Sequence, residues 1–407
     1  MRIAFVSVSD QMGGSEVMLL QTAAELRRFR PGWQLHLVLP GPGPLAERAT
    51  ALGMRVAVLP MPLSLSRLGE SGLGRAGRGA AGLRIVRAAL DLPSYERQLR
   101  DLLSEIRPDV IHTNGFKAHI LASRTCGPSS ALVWHMHEYI SMRPLTRRLL
   151  RHYAGRCAVV VANSESVGTD VRTVLGRRAQ VRVIYNAVDL DRFAPDGPIA
   201  DLDALAHLEP APAGTVRVGL IATFSRWKGH DTFLRAIAAL PASARVRAYV
   251  IGGALYDTDG SQYSADELRA LAVAHGLGRL VGFTGFVQES DRVMRSLDIV
   301  VHASTAPEPF GLVIAEAMAC GRALVTSATG GAAELVRAGE DAVTHRPGNV
   351  ADLTAAIQGL AGDPAARARL GRAARAAAAR RYDARRLADE FVSTYEAAAG
   401  PAVMAHA

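Results

Sequence analysis

Two glutamates stand at the ends of the apolar segment EPFGLVIAE, which runs from Glu308 to Glu316. A helix that is buried by packing alone has no use for an acid at both ends. Pro309 disfavours a helical backbone at the residue before it, so we expect Glu308 to lie in a loop. Glu316 is then expected about a turn and a half inside the following helix. Paired carboxylates in this setting indicate a binding or catalytic site.

The helix that carries Glu316 is predicted to begin at Phe310 or Gly311 and to end at Cys320. The first backbone N–H groups of a helix have no partner within it, so those near Gly311 and Leu312 suit a phosphate. Carboxylates accept hydrogen bonds from paired hydroxyl groups. An acid, an anion site and a second acid in this order fit a sugar–phosphate–ribose chain. The alternative is a capped helix with one partly exposed glutamate.

Lysine is scarce in this chain, where Lys117 and Lys228 are the two examples among 47 basic residues. Lys228 belongs to SRWKGHD, between a predicted strand and a helix. A lysine at this position can neutralise the charge that grows on a diphosphate leaving group. Arg226 is the nearest guanidinium and a second candidate for that role. Lys117 could face an interdomain cleft or an anionic acceptor.

The loop QMGGSE follows the first predicted strand. Gly13 and Gly14 allow a close backbone approach or a positive φ, and Ser15 is the expected N-cap of the next helix. The loop lacks the GxGxxG pattern, which disfavours a dinucleotide site. A close backbone approach to a ligand and a plain tight turn both stay open.

Two histidines lie two residues apart in VWHMHEY, so His135 and His137 would share one face of a continuing strand. They could form a metal pair, but no third ligand has a suitable spacing. His137 lies at the expected end of the strand, and the residues alone leave its role open. The triplet DTD at 257–259 is typical of metal-dependent transferases, yet DLD occurs twice elsewhere in the chain. No metal is assigned.

Two further turns follow predicted strands. Asn186 lies in VIYNAVD, which we interpret mainly as a turn near a hinge and secondly as part of a site. Gly330 and Gly331 lie in TGGAAEL, before a short helix that carries Glu334. The two glycines could shape a nucleotide or sugar pocket, although a turn that begins a helix also explains them.

These candidates sit among short β-branched runs that alternate with helical segments along the whole chain. Apolar runs without internal alternation predict strands buried on both faces, as in parallel sheets. The pattern predicts an α/β protein with two Rossmann-like doubly wound domains that face each other across a cleft. They are expected over 1–190 and 191–382, with a Pro- and Ala-rich linker at 194–215. A helix at about 383–399 is expected to pack back on the first domain.

The composition excludes several classes of protein. With 407 residues, of which 49% are hydrophobic, the chain exceeds one ordinary core. No apolar run approaches the ~20 residues that cross a bilayer. Three scattered cysteines fit neither a disulfide framework nor a zinc site, which favours the cytoplasm. The net charge of +9 implies attraction to an anionic partner, which by charge alone could be nucleic acid, a phosphorylated substrate or a membrane surface. No nucleic-acid partner is assigned.

Two segments have no assigned chemistry. The Gly-rich stretch 68–82 is predicted to be a surface loop. The segment RPLTRRLLRHYAGR (143–156) contains five arginines and no acid, with Leu145, Leu149 and Tyr153 at helical spacing. This helix could dock on anionic lipid at the inner face of a membrane, or it could pack its apolar stripe on its own sheet.

Taken together, these motifs resemble the retaining GT-B glycosyltransferases of family 4, and the resemblance covers nearly the whole chain. EPFGLVIAE is similar to the E-x7-E motif of that family. Eight further segments follow in the family's order: QMGGSE, VIHTNGFKAH, HMHE, VANSE, VIYNAVD, RWKG, VIGG and SATGGAAELV. Each segment alone is weak, but the ordered series is specific.

The resemblance implies retaining, metal-independent transfer of a sugar from a nucleotide-diphosphate sugar to an acceptor hydroxyl, without a further cofactor. The acceptor would be a saccharide or a lipid-linked molecule in polysaccharide or glycoconjugate biosynthesis. By the same resemblance Glu308 contacts the donor sugar, Glu316 contacts the ribose, and His137 approaches the sugar. The Gly13–Gly14 loop would lie near the diphosphate and the acceptor.

The sequence departs from the family at two places. Ala222 and Thr223 stand where a Gly-Arg pair is typical, and Ala187 follows Asn186 where glycine is typical. Whether Arg226 replaces the missing arginine is open. Three alternatives also stay open: a nucleotide-sugar epimerase of the same architecture, a glycoside hydrolase with paired acids, and a non-catalytic sugar-nucleotide-binding protein.

Overall fold

The computed structural model describes residues 1–68, 78–254 and 260–400 of the chain. These residues form two compact units. Unit 1 comprises Met1–Asn186 together with the chain from Ala384 onward, and unit 2 comprises Ala187–Asp383. Most of the predicted Gly-rich loop at 68–82 and the triplet at 257–259 lie outside the described residues, although residues 78–82 are helical.

Unit 1 contains a seven-stranded parallel sheet with the order β3-β2-β1-β4-β5-β6-β7. Its strands are β1 (Arg2–Ser7), β2 (Gln34–Leu39), β3 (Arg55–Val58), β4 (Val110–Asn114), β5 (Ala131–Met136), β6 (Val159–Ala162) and β7 (Val181–Val183). The strand order reverses between β1 and β4. In open α/β sheets ligands bind beyond the carboxyl ends of strands at such a reversal.

Helices cover the sheet of unit 1, as the alternating pattern predicts. They are α1 (Gly14–Phe29), α2 (Pro44–Ala51), α3 (Leu63–Ser66), α4 (Arg78–Ile106), α5 (Phe116–Thr125), α6 (Pro144–Tyr153), α7 (Glu165–Leu175) and the last helix of the chain, α16 (Arg386–Ala399). The last helix packs against α1, β4 and β5.

Unit 2 contains a six-stranded parallel sheet with the order β10-β9-β8-β11-β12-β13. Its strands are β8 (Val216–Ile221), β9 (Val246–Ile251), β10 (Val281–Gly285), β11 (Ile299–His302), β12 (Ala323–Thr326) and β13 (Val343–Thr344). This sheet reverses between β8 and β11, so the loops that follow these two strands meet at the reversal.

The helices of unit 2 follow the same alternation. They are α8 (Leu202–Leu205), α9 (His230–Ala238), α10 (Ala265–Ala274), α11 (Ser290–Ser296), α12 (Leu312–Ala319), α13 (Ala332–Leu335), α14 (Val350–Gly362) and α15 (Pro364–Arg381). No helix in the described ranges is both long and apolar enough to span a bilayer. The two parallel sheets confirm the predicted α/β class with two Rossmann-like domains.

The Pro- and Ala-rich segment at 194–215 is not a linker between the units, because it folds as part of unit 2. Asp203 is buried in this segment and accepts hydrogen bonds from Arg247, Arg217 and Tyr249. Composition alone suggested a linker, but these long-range partners of one aspartate order the segment. The units divide after Asn186, four residues before the boundary predicted at residue 190.

Helix α6 presents a different face to unit 1 than its apolar spacing suggested. Leu150 is buried, whereas Leu145 and Leu149 are exposed. The alternative in which the Leu145–Leu149–Tyr153 stripe packs on the sheet is therefore wrong for both leucines. One buried leucine and the partly buried Tyr153 anchor the helix instead.

A glycine places the predicted lysine of unit 2. Lys228 ends a short 3₁₀ turn, Arg226–Lys228, and Gly229 follows it with φ of +79°. A side chain at Gly229 would bring Cβ within 1.9 Å of the Ala303 carbonyl oxygen, in the loop after β11. Only glycine permits this close approach of the two loops.

Candidate active site

An ion pair joins the two loops that meet at the reversal of the unit 2 sheet. Lys228 Nζ lies 2.7 Å from Glu308 Oε2, although the two residues are 80 positions apart in the chain. Lys228 follows β8 and Glu308 follows β11, which are neighbouring strands. The structure therefore brings together the two residues that sequence reasoning placed first in the chemistry.

Two further donors hold the same carboxylate oxygen. His302 Nε2 lies 3.1 Å from Glu308 Oε2 and Ser304 Oγ lies 3.0 Å from it. Burial acts to raise the pKa of Glu308, but Lys228 and His302 outweigh it and hold that pKa well below its usual range. Glu308 is therefore a permanent carboxylate at neutral pH. Sequence reasoning missed His302 and Ser304, whose one signal was two polar residues at the end of an apolar strand.

The loop that contains Gly330 and Gly331 fixes the backbone of Glu308. Glu308 N donates to Thr329 O at 3.2 Å, and Gly331 N donates to Glu308 O at 2.7 Å. Ala328, in the same loop, has a positive φ of 36°, which is unusual for a residue with a side chain. Strained backbone of this kind clusters at functional sites. The two predicted glycines thus position Glu308 through their backbone.

Helix α12 begins beside Glu308. Gly311 caps it with φ of 92°, and within the described residues no hydrogen bond is recorded for the N–H groups of Leu312 and Val313. These groups match the anion site expected from the sequence. The Phe310 side chain departs from that expectation, because it is 2% exposed and packs edge to face on Tyr382. An apolar ring gains most in the core, so only the backbone of Phe310 lies beside the anion site.

Glu316 lies in the second turn of α12 and is partly exposed. Burial of its carboxyl group raises the pKa of Glu316 to about 7, opposed by Arg192 and reinforced by Asp291. Arg192 itself donates to Asp291 at 3.2 Å. No hydrogen bond to the Glu316 carboxyl group is recorded within the described part of the chain. Its acceptor oxygens are consistent with the ribose role that the family resemblance implies.

Arg226 does not join this cluster. Its guanidinium donates to Glu267 at 2.8 Å and to Gly260 O at 3.2 Å, and it lies 4.2 Å from the centre of the Tyr263 ring. Successive residues of a tight turn point in different directions, and Arg226 turns toward the 260–267 segment. The structure therefore gives no support to the idea that Arg226 replaces the arginine missing at Thr223.

In unit 1 the loop after β1 leads directly into α1. Gly13 is the N-cap with an extended backbone (φ −116°), so the position does not require a positive φ. The expectation that Ser15 is the N-cap was wrong, because Ser15 lies inside the helix and donates to Glu16 at 2.9 Å. Glu16 closes the loop by accepting from Gly13 N at 3.2 Å. Gly14 is the first helical residue.

A cluster of buried aromatic and histidine side chains lies at the carboxyl ends of β4 and β5. His112 Nδ1 lies 2.6 Å from the Tyr395 hydroxyl, and His112 Nε2 lies 3.2 Å from His135 Nδ1. The rings of His135 and His137 are 4.1 Å apart. Burial lowers the pKa of His137 to about 4, so it is neutral at pH 7 and suited to hydrogen bonding rather than to charge. His112 and Tyr395 were not singled out from the sequence.

The cluster has one consistent arrangement of protons. Asn114 Nδ2 donates to Ser15 O at 3.4 Å, so Asn114 Oδ1 faces His112 Nε2 as an acceptor at 3.1 Å. His112 Nε2 must then carry the proton, and Nδ1 accepts from the hydroxyl of Tyr395. His135 Nδ1 also accepts from His112, which leaves the proton of neutral His135 on Nε2.

We expect Tyr395→Phe to disturb this arrangement, because His112 Nδ1 loses its donor. Nitrogen spectra of the imidazole rings should then show a second tautomer at His112 and His135. The melting temperature should fall by about 2–4 °C, since one buried hydrogen bond contributes about 1 kcal/mol. Tyr153→Phe is the control, because it removes a hydroxyl that accepts from Arg124 away from the cluster. Identical imidazole spectra in Tyr395→Phe and the wild type would contradict the assignment.

Asn186 occupies the last position of unit 1 before the chain enters unit 2. Its carbonyl oxygen accepts from Arg386 at 2.7 Å, whereas its buried side-chain Oδ1 has no hydrogen-bond partner among the described residues. The hinge-side turn expected from the sequence is thus held by α16. Among the described residues, no group of three or more His, Cys, Asp or Glu side chains is arranged to hold a metal ion.

Comparison with known proteins defines the class. The family model of group 1 glycosyl transferases matches residues 209–377, and that of glycosyltransferase family 4 matches residues 12–192. The chain therefore belongs to the group 1, family 4 glycosyltransferases, as the ordered motifs predicted. Their GT-B fold agrees with the two parallel sheets.

Several relatives show how far the similarity extends. The 2-deoxystreptamine N-acetyl-D-glucosaminyltransferase of Streptomyces fradiae is 29% identical over 85% of this chain and 82% of its own length. A D-inositol 3-phosphate glycosyltransferase of Nocardiopsis dassonvillei is 30% identical over 60% of this chain and 56% of its own. The crystal structure of HepE from Anabaena with UDP and glucose matches with a TM-score of 0.79 and 27% identity, covering 97% of this chain and 99% of that one.

Proposed function

We propose that this glycosyltransferase moves a sugar from a nucleotide-diphosphate sugar to an acceptor hydroxyl, with retention of configuration and without a metal. The observation that carries the proposal is the Lys228–Glu308 ion pair beside the start of α12. An ammonium group and open backbone N–H groups at one end of a sheet suit a diphosphate. HepE, which shares the fold, binds UDP and UDP-glucose, which supports a nucleotide sugar as donor.

Lys228 supplies the main charge stabilisation in this proposal. An ammonium group has three donors, so Lys228 can keep one on Glu308 while it directs the others at phosphate oxygens. The α12 N–H groups of Leu312 and Val313 meet the remaining negative charge. Both sets of donors act on charge that grows as the bond between the sugar and the diphosphate breaks.

Glu308 orients the donor sugar instead of attacking it. Three donors converge on its Oε2, and its depressed pKa makes the carboxylate a weak nucleophile. The acceptor oxygen then bonds to the anomeric carbon from the face that the diphosphate leaves, and the acceptor proton passes to a phosphate oxygen. Retention follows from attack on that same face.

A thermal-shift panel of nucleoside diphosphates and their sugars tests the donor assignment. One nucleobase should stabilise the protein selectively, since a ligand at 100 times its Kd adds about 2.7 kcal/mol to the free energy of unfolding. Proton NMR of the product from the selected donor should then show an unchanged anomeric configuration. A panel without any stabilising nucleotide would remove the basis of the proposal.

The non-catalytic sugar-nucleotide-binding alternative retains one specific observation. Thr223 stands where the family carries an arginine, and Arg226 points elsewhere, so Lys228 is the one cation seen in this cluster within the described residues. Incubation of the pure enzyme with the donor alone tests the other alternative, a nucleotide-sugar epimerase. An isomerised sugar nucleotide would support the epimerase, whereas stable donor that is consumed on addition of an acceptor supports the transferase.

The acceptor class that we propose is a saccharide or a lipid-linked molecule of polysaccharide or glycoconjugate biosynthesis. The ordered family motifs and the excess of positive charge support it. A cytoplasmic enzyme that contacts the inner face of a membrane would reach such an acceptor. Transfer assays with lipid-linked and free saccharides in parallel distinguish the two forms.

A further inference from the structure

Helix α6 of unit 1 presents apolar side chains to solvent. Leu145 is 53% exposed and Leu149 is 47% exposed, and Met142, just before the helix, is 71% exposed. The two leucines lie four residues apart and so share one face. Leu150 is buried and attaches the helix to unit 1. Exposed apolar side chains that share a helix face are typical of interaction sites.

Arginines lie along one side of this apolar strip. Arg147, Arg148 and Arg151 are exposed, and no ion pair with a carboxylate is recorded for them within the described residues. Arg178 adds a fourth, since its guanidinium reaches the Arg151 carbonyl oxygen at 3.5 Å. Within 143–156 there is no acid, although Arg143 pairs with Glu138 at 3.4 Å. We call Met142, Leu145, Leu149, Arg147, Arg148 and Arg151 the α6 surface.

We infer that the α6 surface docks on a membrane that contains anionic lipid. Arginine guanidinium groups match lipid phosphates, while the leucines and Met142 can enter the boundary of the acyl chains. A nucleic acid would use the arginines but would leave the apolar strip in water. A protein partner would need a complementary apolar groove with acids at its rim. The combination of the two side-chain types favours the lipid surface.

This inference adds a partner to the proposed function without depending on the transfer chemistry. The α6 surface belongs to unit 1, and the Lys228–Glu308 pair belongs to unit 2. Vesicle binding therefore tests the docking surface even where no acceptor has been found. A failed transfer assay and a failed vesicle assay report on different proposals.

The experiment is cosedimentation of the full-length protein with vesicles of phosphatidylcholine, with and without phosphatidylglycerol. The protein should bind the anionic vesicles and release them at high salt, because exposed charges are screened. The triple variant Arg147→Gln, Arg148→Gln, Arg151→Gln should bind about 100-fold more weakly, at roughly fivefold for each arginine. Leu145→Ser with Leu149→Ser should weaken binding by more than about tenfold.

Matched controls separate the α6 surface from net charge and general hydrophobicity. Arg48→Gln, Arg97→Gln, Arg100→Gln removes the same charge from other exposed positions of unit 1. Val273→Ser with Leu280→Ser removes apolar side chains of unit 2 that are 71% and 53% exposed. Both controls should bind like the wild type. Equal losses in control and α6 variants, or tighter binding to an oligonucleotide than to anionic vesicles, would overturn the inference.

Discussion

Replacing Lys228 with alanine should lower kcat by about 10²–10³, the usual effect of removing one preorganised donor from a site of developing charge. The reason is the position of the ammonium group, which lies 2.7 Å from Glu308 at the reversal of the unit 2 sheet. Steady-state kinetics with the donor from the thermal-shift panel measures the effect. Lys117→Ala is the matched control, because it removes the other lysine of the chain, whose ammonium group donates to Ser66 O in unit 1 instead of facing an acceptor. A Lys228→Ala enzyme within a few-fold of wild-type kcat would refute the assignment.

The same substitution also affects stability. Without Lys228, the buried carboxylate of Glu308 keeps only His302 and Ser304 as donors on Oε2 among the contacts described above. Removing one partner of a buried ion pair lowers the free energy of unfolding by about 3–5 kcal/mol. The variant should therefore unfold at a lower urea concentration. The double variant Lys228→Ala, Glu308→Gln should recover much of that stability while it stays inactive. This pattern separates a charge left alone from a general loss of packing.

The ion pair also predicts how stability depends on pH. The pKa of Glu308 in the folded state lies below its value in the unfolded chain. Its contribution to the free energy of unfolding is therefore fully present above the unfolded pKa and is lost as the pH falls toward the folded pKa. Urea titrations at pH 7 and pH 4 should therefore differ more for the wild type than for Glu308→Gln. Equal differences would show that Glu308 is not held as a charged group.

Replacing Glu316 with glutamine should weaken nucleotide binding by about 10–100-fold, the equivalent of hydrogen bonds to one charged acceptor. It should also stabilise the ligand-free protein at pH 8. The pKa of Glu316 in the folded state is raised to about 7. Between its ordinary pKa and pH 7 the folded state therefore holds a proton that the unfolded chain has lost. Stability then falls as the pH rises from the ordinary value through 7, and glutamine removes this penalty.

Two measurements check the Glu316 prediction. Melting temperatures of the ligand-free proteins should coincide at pH 4 and diverge at pH 8, with the variant higher. Calorimetry with the nucleoside diphosphate selected by the thermal-shift panel and with its 2′-deoxy form should show a large difference for the wild type and almost none for Glu316→Gln. Glu340→Gln, at an exposed position paired with Arg337, is the control. Equal discrimination by variant and wild type would remove Glu316 from the ribose site.

Much of the fold could be predicted because local signals agreed with the final packing. Apolar runs such as those of β4 and β11 are buried on both faces, and each is followed by a helix at the expected place. Pro309 and Gly311 predicted the loop and the start of α12 correctly. Lys228 and Glu308 were found for the same reason, since both follow strands and both are unusual for their surroundings.

What failed depended on contacts between distant parts of the chain. The Lys228–Glu308 pair and the His302 contacts depend on the neighbouring positions of β8 and β11, which spacing cannot reveal. Arg226 was misplaced because Glu267 competes for its guanidinium. The segment at 194–215 resembled a linker, yet Asp203 anchors it in unit 2. In each case one long-range polar partner outweighed the local pattern.

The inclusion of α16 in unit 1 has a consequence for synthesis on the ribosome. Tyr395, which donates to His112 in β4, is translated more than two hundred residues after Ala187, where unit 2 begins. The nascent chain can assemble all seven strands of unit 1 early, but it must carry that sheet without α16 over β4 and β5 until elongation is nearly over. Unit 2, by contrast, is contiguous and can complete its own core first.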